Sequence, residues 1–166
     1  MRRWTGGLGI FAPNPRHAAL AVAVSIAGTA AFIAVLDLWL FRGHLPNGYV
    51  QFYTSPLWPR LPAICAECIF EDVKYRLLLM TTLVALITAL RRKQSPALLI
   101  LAMAVAVQFV NVAPLVVAYP AYGPLRYWAV GTTWGWLYWR HGLLAAMAAH
   151  AGTHLLLDPI LLIGLG

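Results

Sequence analysis

Long apolar runs, broken by short polar punctuation, dominate this chain. About five such stretches can be drawn, at residues 18–41, 64–90, 96–118, 127–139 and 142 to the C-terminus. A helix needs roughly 20 mainly apolar residues to cross a bilayer, and four of the five are long enough. The fourth is short and carries Gly131 and Gly135, which weaken it as a helix. It reads as a tilted or partly re-entrant segment. The first is too long for the core of a signal peptide and is followed by no convincing cleavage site, so it is kept as a helix. Breakers fill the connections: Asn47-Gly48, Pro56 and Pro59 in the first, and Pro120, Gly123 and Pro124 before the fourth stretch. Aromatics crowd the expected interfaces, among them Trp39, Phe41, Trp58, Trp128, Trp136 and Trp139.

Composition strengthens this pattern. The chain is 61% apolar and 10% charged, whereas soluble domains carry about 25% charged residues. A domain of 166 residues could not bury so much apolar surface in water, because small domains leave a large share of their area exposed. The fold class expected is all-α: a polytopic transmembrane helix bundle forming one integral membrane domain over residues 1–166.

The net charge of +7 raises nucleic acid as a partner, but no basic face with interleaved stacking aromatics supports it. The cations sit between apolar runs and read as topology signals and contacts to anionic lipid. With the N-terminus inside, Arg2, Arg3, Arg16, Arg91, Arg92, Lys93 and Arg140 fall on the inner side, and Arg42, Arg60 and Arg126 on the outer. The asymmetry favours a cytoplasmic N-terminus, and five spans would put the C-terminus outside.

Charges within a span cost several kcal/mol each, so they tend to be paired and functional. Glu67, Glu71 and Asp72 lie close together, followed by Lys74 and Arg76. At helical spacing Asp72 and Arg76 are i,i+4 neighbours and an expected buried ion pair. The competing reading is a solvated collar at the interface; the apolar runs 64–70 and 77–90 on either side argue against it. Cys65 and Cys68 form a C-x-x-C, open to a redox or metal reading. With no second C-x-x-C in the chain, it reads as two small apolar residues on a membrane helix. His150 and His154, at i,i+4 in the last stretch, present both imidazoles on one helix face, the spacing at which two histidines share a metal or a water. His17, His44 and His141 lie near expected ends or loops and read as interfacial. Asn111, with Gln108 before it, reads equally as an interhelical hydrogen-bonding amide or as part of a site. At 1.5 Å per residue, Glu71, Asn111 and His154 all fall roughly 10 Å below the outer face of a core about 30 Å thick.

These residues resemble the CPBP family, the CAAX-processing and bacteriocin-processing (Abi-type) intramembrane endopeptidases. The first family motif, E-E-x-x-x-R, is matched by Glu71-Asp72-Val73-Lys74-Tyr75-Arg76, with Asp for the second Glu. Residues 135–150, from Gly135 to His150, resemble the family's run into its histidine, and the resemblance covers about residues 63–157. Residues 1–62 supply the first helix and loop. Two further motifs depart. Val107 and Asn111 stand where the family has F-x-x-x-H, and His154 stands where it has the Asn of H-x-x-x-N. By this resemblance the Asn and one His are exchanged between helices, so that the chain resembles a short, divergent member of the family.

The resemblance implies hydrolysis of a peptide bond within the membrane, in a membrane-anchored protein or peptide, with a C-terminal or leader segment as the part removed. Glu71 would be the general base on water. His150 and His154 would position the water or steady the oxyanion, Asn111 would add a donor, and Arg76 would hold Asp72. A zinc ion bound by Glu71, His150 and His154 is the rival arrangement; the metal-free glutamate mechanism is favoured. The expected location is a bacterial inner membrane, with the bilayer as partner and no nucleic acid. An inactive scaffold or immunity protein is the alternative from another class, and a small proton-relay transporter a third, disfavoured by the lack of two similar halves.

Overall fold

The computed structural model describes residues 8–46, 48–91 and 97–166. Arg2, Arg3, Arg92 and Lys93 of the charge count, Asn47 of the first connection and Pro96 at the head of the third stretch lie outside them. Every regular element among the described residues is helical. Four helices are long and apolar enough to cross a membrane: α1 (Pro15–Leu40), α3 (Leu57–Arg91), α4 (Ala97–Ala118) and α6 (Leu143–Leu165). Between them lie the short α2 (Tyr49–Thr54) and α5, residues 124–141. The fourth apolar stretch is thus a continuous helix, but it is not one of the four long spans.

Local chemistry explains the boundaries. Asn14 caps α1, its side chain accepting the His17 N–H, and Pro15 opens the first turn where its missing donor does no harm. The second stretch begins at Leu57 rather than at residue 64, because Pro56 ends the preceding turn and Pro59 is tolerated in a first turn. The charged cluster therefore lies well inside a long helix. Asp72 and Arg76 are buried, which replaces the collar reading. Gly142, at φ +89°, breaks the chain between α5 and α6 in a conformation that suits glycine. There the backbone of Gly9 and Ile10 accepts from the N–H groups of Leu143 and Leu144 at 2.8 and 3.1 Å, satisfying two of the otherwise orphaned donors at the start of α6.

Helix α6 is the hub, packing most extensively on α1 and then on α5. Ala146 and Ala149 are wholly buried on it; small residues let membrane helices approach closely where no hydrophobic drive exists between them. Thr29 of α1 and Thr153 of α6 share a hydroxyl hydrogen bond of 2.7 Å across that contact. The opposite faces expose Leu20, Val24, Leu86, Leu90, Leu98, Val117 and Ile163, the surface that lipid would cover.

Candidate active site

The centre of α3 winds as a π-helix over Asp72–Met80, a distortion often found at functional positions. Arg76 pairs with Asp72 one turn earlier, as its spacing predicts. Its Nη2 also reaches Gln108 Oε1 and the Gly131 carbonyl, each at 3.4 Å. Gln108 Nε2 in turn donates to the Tyr127 carbonyl at 3.3 Å. One guanidinium thereby ties α3 to α4 and α5. Gly131 is what permits it: a Cβ there would sit 2.0 Å from Gln108 Nε2. The glycine that looks like a helix weakness in the sequence is a close-approach position. Trp134 of α5 lies 5.5 Å from the Arg76 guanidinium and stacks on the His150 ring, centroids 3.8 Å apart.

In front of this network is a cavity of about 420 Å³, lined in part by Glu67, Cys68, Glu71, His150 and His154. Asn111 joins the group indirectly: its Nδ2 donates to Glu71 Oε2 at 3.2 Å. The four residues singled out from sequence are therefore gathered at one place. Asp72 stands behind them, its Oδ2 3.4 Å from His150 Nδ1. His154 Nδ1 has a similar neighbour, Asp158 Oδ1, at 3.6 Å. Cys68, buried and not joined to Cys65 in a disulfide, faces the same space. One ligand atom each from Cys68, His150 and His154 lies within 4.8 Å of the others. That donor set contains a cysteine where sequence reasoning offered Glu71.

Of the five acids, Glu67 and Glu71 form no ion pair among the described residues, and Glu67 is exposed, which leaves Glu71 as the partly buried one without a cation. Asp37, Asp72 and Asp158 are each almost wholly buried, and each has an arginine: Arg126 at 3.4 Å, Arg76, and Arg60 at 3.1 Å. Glu71 is partly buried and forms no ion pair among the described residues; the Asn111 amide is its hydrogen-bond partner. It is a carboxylate left available to act on something in the cavity.

Two of these pairs escaped sequence reasoning. Arg60 and Arg126 read in the sequence as outer-loop charges, yet both are buried, Arg60 against Asp158 and Arg126 against Asp37. They answer to buried aspartates and do not act as free topology signals. Tyr49 also donates to Asp37, and Tyr122 does so at 2.8 Å. Burial pushes the Tyr49 and Tyr122 phenols far above the ordinary tyrosine range and Tyr53 up to about 12, so all three keep their protons. The signal was present: any acid in an apolar helix calls for a partner, and His154–Asp158 is an i,i+4 pair. His17 and His44 are exposed and His141 partly so, all at helix ends.

A bundle of apolar helices that buries three Asp–Arg pairs around an unpaired glutamate and two histidines defines an integral membrane protein with an internal polar site. Residues 19–156 match the model of a protein family described as type II CAAX prenyl endopeptidase Rce1-like. The chain belongs to that family, one of CAAX-type intramembrane proteases. No curated protein and no solved structure matches it.

Proposed function

We propose that this protein is an intramembrane endopeptidase that hydrolyses a peptide bond in a membrane-anchored protein or peptide, with Glu71 as the general base on water. The observation that carries this reading is Glu71 itself: among the described residues it is a partly buried carboxylate without an ion pair, on the cavity that His150 and His154 also line. A general base must reach the proton it takes and must not be consumed by a structural cation. Asn111 orients the carboxylate by occupying one oxygen and leaves the other for water. His150 and His154, each with Nδ1 toward an aspartate, offer the Nε2 lone pair to a water, and a ring to which the water's proton has passed can then donate Nε2–H to the developing oxyanion. Closing such a site off from bulk solvent strengthens each of these interactions. The N-terminus faces the cytoplasm and the membrane is a bacterial inner membrane.

Cleavage of a co-expressed membrane-anchored substrate tests the reading. Glu71→Gln keeps shape and hydrogen bonding but removes the base, so activity should fall by about 10²–10⁴-fold. Full activity in that variant ends the proposal. A wild-type chain that folds, inserts and cleaves no membrane-anchored substrate would favour the scaffold or immunity alternative.

A further inference from the structure

The two histidines and one cysteine of the cavity are arranged in a way that water positioning does not require. His150 and His154 sit one turn apart on α6, and Cys68 comes from α3, with their three donor atoms within 4.8 Å of one another. Behind each imidazole lies an aspartate: Asp72 Oδ2 is 3.4 Å from His150 Nδ1, and Asp158 Oδ1 is 3.6 Å from His154 Nδ1. Arginines hold both aspartates in place, Arg76 and Arg60. Metal-bound histidines almost always turn their second nitrogen to a carboxylate, carbonyl or water in this way. His150 is only 4% exposed, and its Nδ1, like that of His154, has no well-formed hydrogen bond among the described residues. With Nδ1 turned toward an aspartate, each ring keeps Nε2 as its free donor atom, and one nitrogen of each ring lies near the thiol.

We propose that Cys68, His150 and His154 bind a divalent transition-metal ion of the zinc type, with its remaining position open to the cavity. One thiolate and two imidazoles match the donor preference of zinc, and three protein ligands with an open fourth position are usual where zinc is catalytic. Ligand atoms in a tetrahedral zinc site are about 3.3–3.6 Å apart, so the three donors need to close by about an ångström. Rotation about the Cys68 side chain can supply much of it. Cys68 releases its proton to solvent as the sulfur–metal bond forms. The site shares its cavity with the hydrolytic reading but stands on donor geometry, and the two can fail separately.

Cobalt(II) is the probe. The full-length protein in detergent is stripped with a chelator and titrated with cobalt, a metal that reports its ligands by colour. Saturable binding with one ion per chain is expected, with a thiolate-to-cobalt charge-transfer band in the near ultraviolet. Cys68→Ser should abolish the band and weaken binding by more than about tenfold. Cys65→Ser should keep both, and Cys68→His should keep binding without the band, which separates ligand loss from misfolding. Absence of saturable binding, or a band that survives Cys68→Ser, overturns the proposal. If the band behaves as expected while Glu71→Gln cleaves normally, the metal site stands and the glutamate reading falls. If cobalt fails to bind while Glu71→Gln is inactive, the reverse holds.

Discussion

Asp72 Oδ2 lies 3.4 Å from His150 Nδ1, and the other oxygen of the same carboxylate takes the Arg76 guanidinium. One aspartate therefore serves two purposes, neutralising a buried cation and fixing which nitrogen of His150 faces the cavity. Arg76→Ala strands the carboxylate, and breaking a buried pair costs about 3–5 kcal/mol. The yield of folded protein in detergent should drop accordingly. Removing both charges, as in Asp72→Asn with Arg76→Gln, should restore much of the yield. It should not restore cleavage, because an amide favours the wrong imidazole tautomer, and a loss on the order of 10²-fold or more is expected. Equal recovery of yield and activity would show that the pair only supports the fold.

The knot around Asp37 makes a parallel prediction away from the proposed chemistry. Arg126 Nε lies 3.4 Å from Asp37 Oδ2 and its Nη2 donates to Tyr49 at 3.2 Å, joining α1, α2 and α5. Arg126→Gln leaves a buried aspartate held only by tyrosines and should destabilise by about 3–5 kcal/mol. Adding Asp37→Asn removes the orphaned charge and should recover a large part of that. Thermal unfolding in detergent reads both effects; a double variant less stable than Arg126→Gln would mean that the tyrosines, and not the arginine, are what Asp37 is matched to.

How far the sequence carried is clearest from these residues. Helical spacing alone paired Asp72 with Arg76 and put His150 and His154 on one face, because both relations lie within a single helix. Long-range partners were not legible. Nothing local in Arg60 or Arg126 announces an aspartate 98 or 89 positions away, so both passed for loop charges. Gly131 was read by propensity when its importance is steric, a matter of what Gln108 needs on a neighbouring helix. Cys68 reads as a small apolar residue because the chain has no second C-x-x-C, whereas the histidines near it come from α6. The short α5 kept its ambiguity for a physical reason: its residues are chosen for packing around Arg126, Trp134 and Tyr138, all buried, more than for contact with lipid.

Orientation can be tested with one cysteine. Arg16, Arg91 and Arg140 are exposed at the start of α1 and the ends of α3 and α5, positions that alternate crossing brings to one side. Arg42 is exposed at the other end of α1. This asymmetry survives the loss of Arg60 and Arg126 from the count and still favours a cytoplasmic N-terminus. Gly43 is exposed and a Cβ added there meets nothing within 4 Å. Gly43→Cys should react with a membrane-impermeant maleimide in intact cells above the wild-type background. Reaction only after permeabilisation would invert the topology.

The exchanged amide and imidazole give the most specific prediction. Asn111 and His154 occupy positions where the resembled family has His and Asn, and here the amide grips Glu71 at 3.2 Å while the imidazole faces Asp158 at 3.6 Å. His154→Asn removes one of the two cavity imidazoles, and Asn111 cannot replace it, since an amide neither accepts a proton at neutral pH nor binds zinc-type ions well. Cleavage should fall by about 10²-fold or more. Asn111→His alone should also be impaired, because it takes from Glu71 the amide that orients it. Combined, the two substitutions put one imidazole beside Glu71 and one amide beside Asp158, and activity should recover in part, above either single variant. Coupling of this kind is expected of residues that share one network and not of distant ones. Measuring cleavage across the four members of the cycle decides it: strictly additive losses would mean that Asn111 and His154 do not serve the same site.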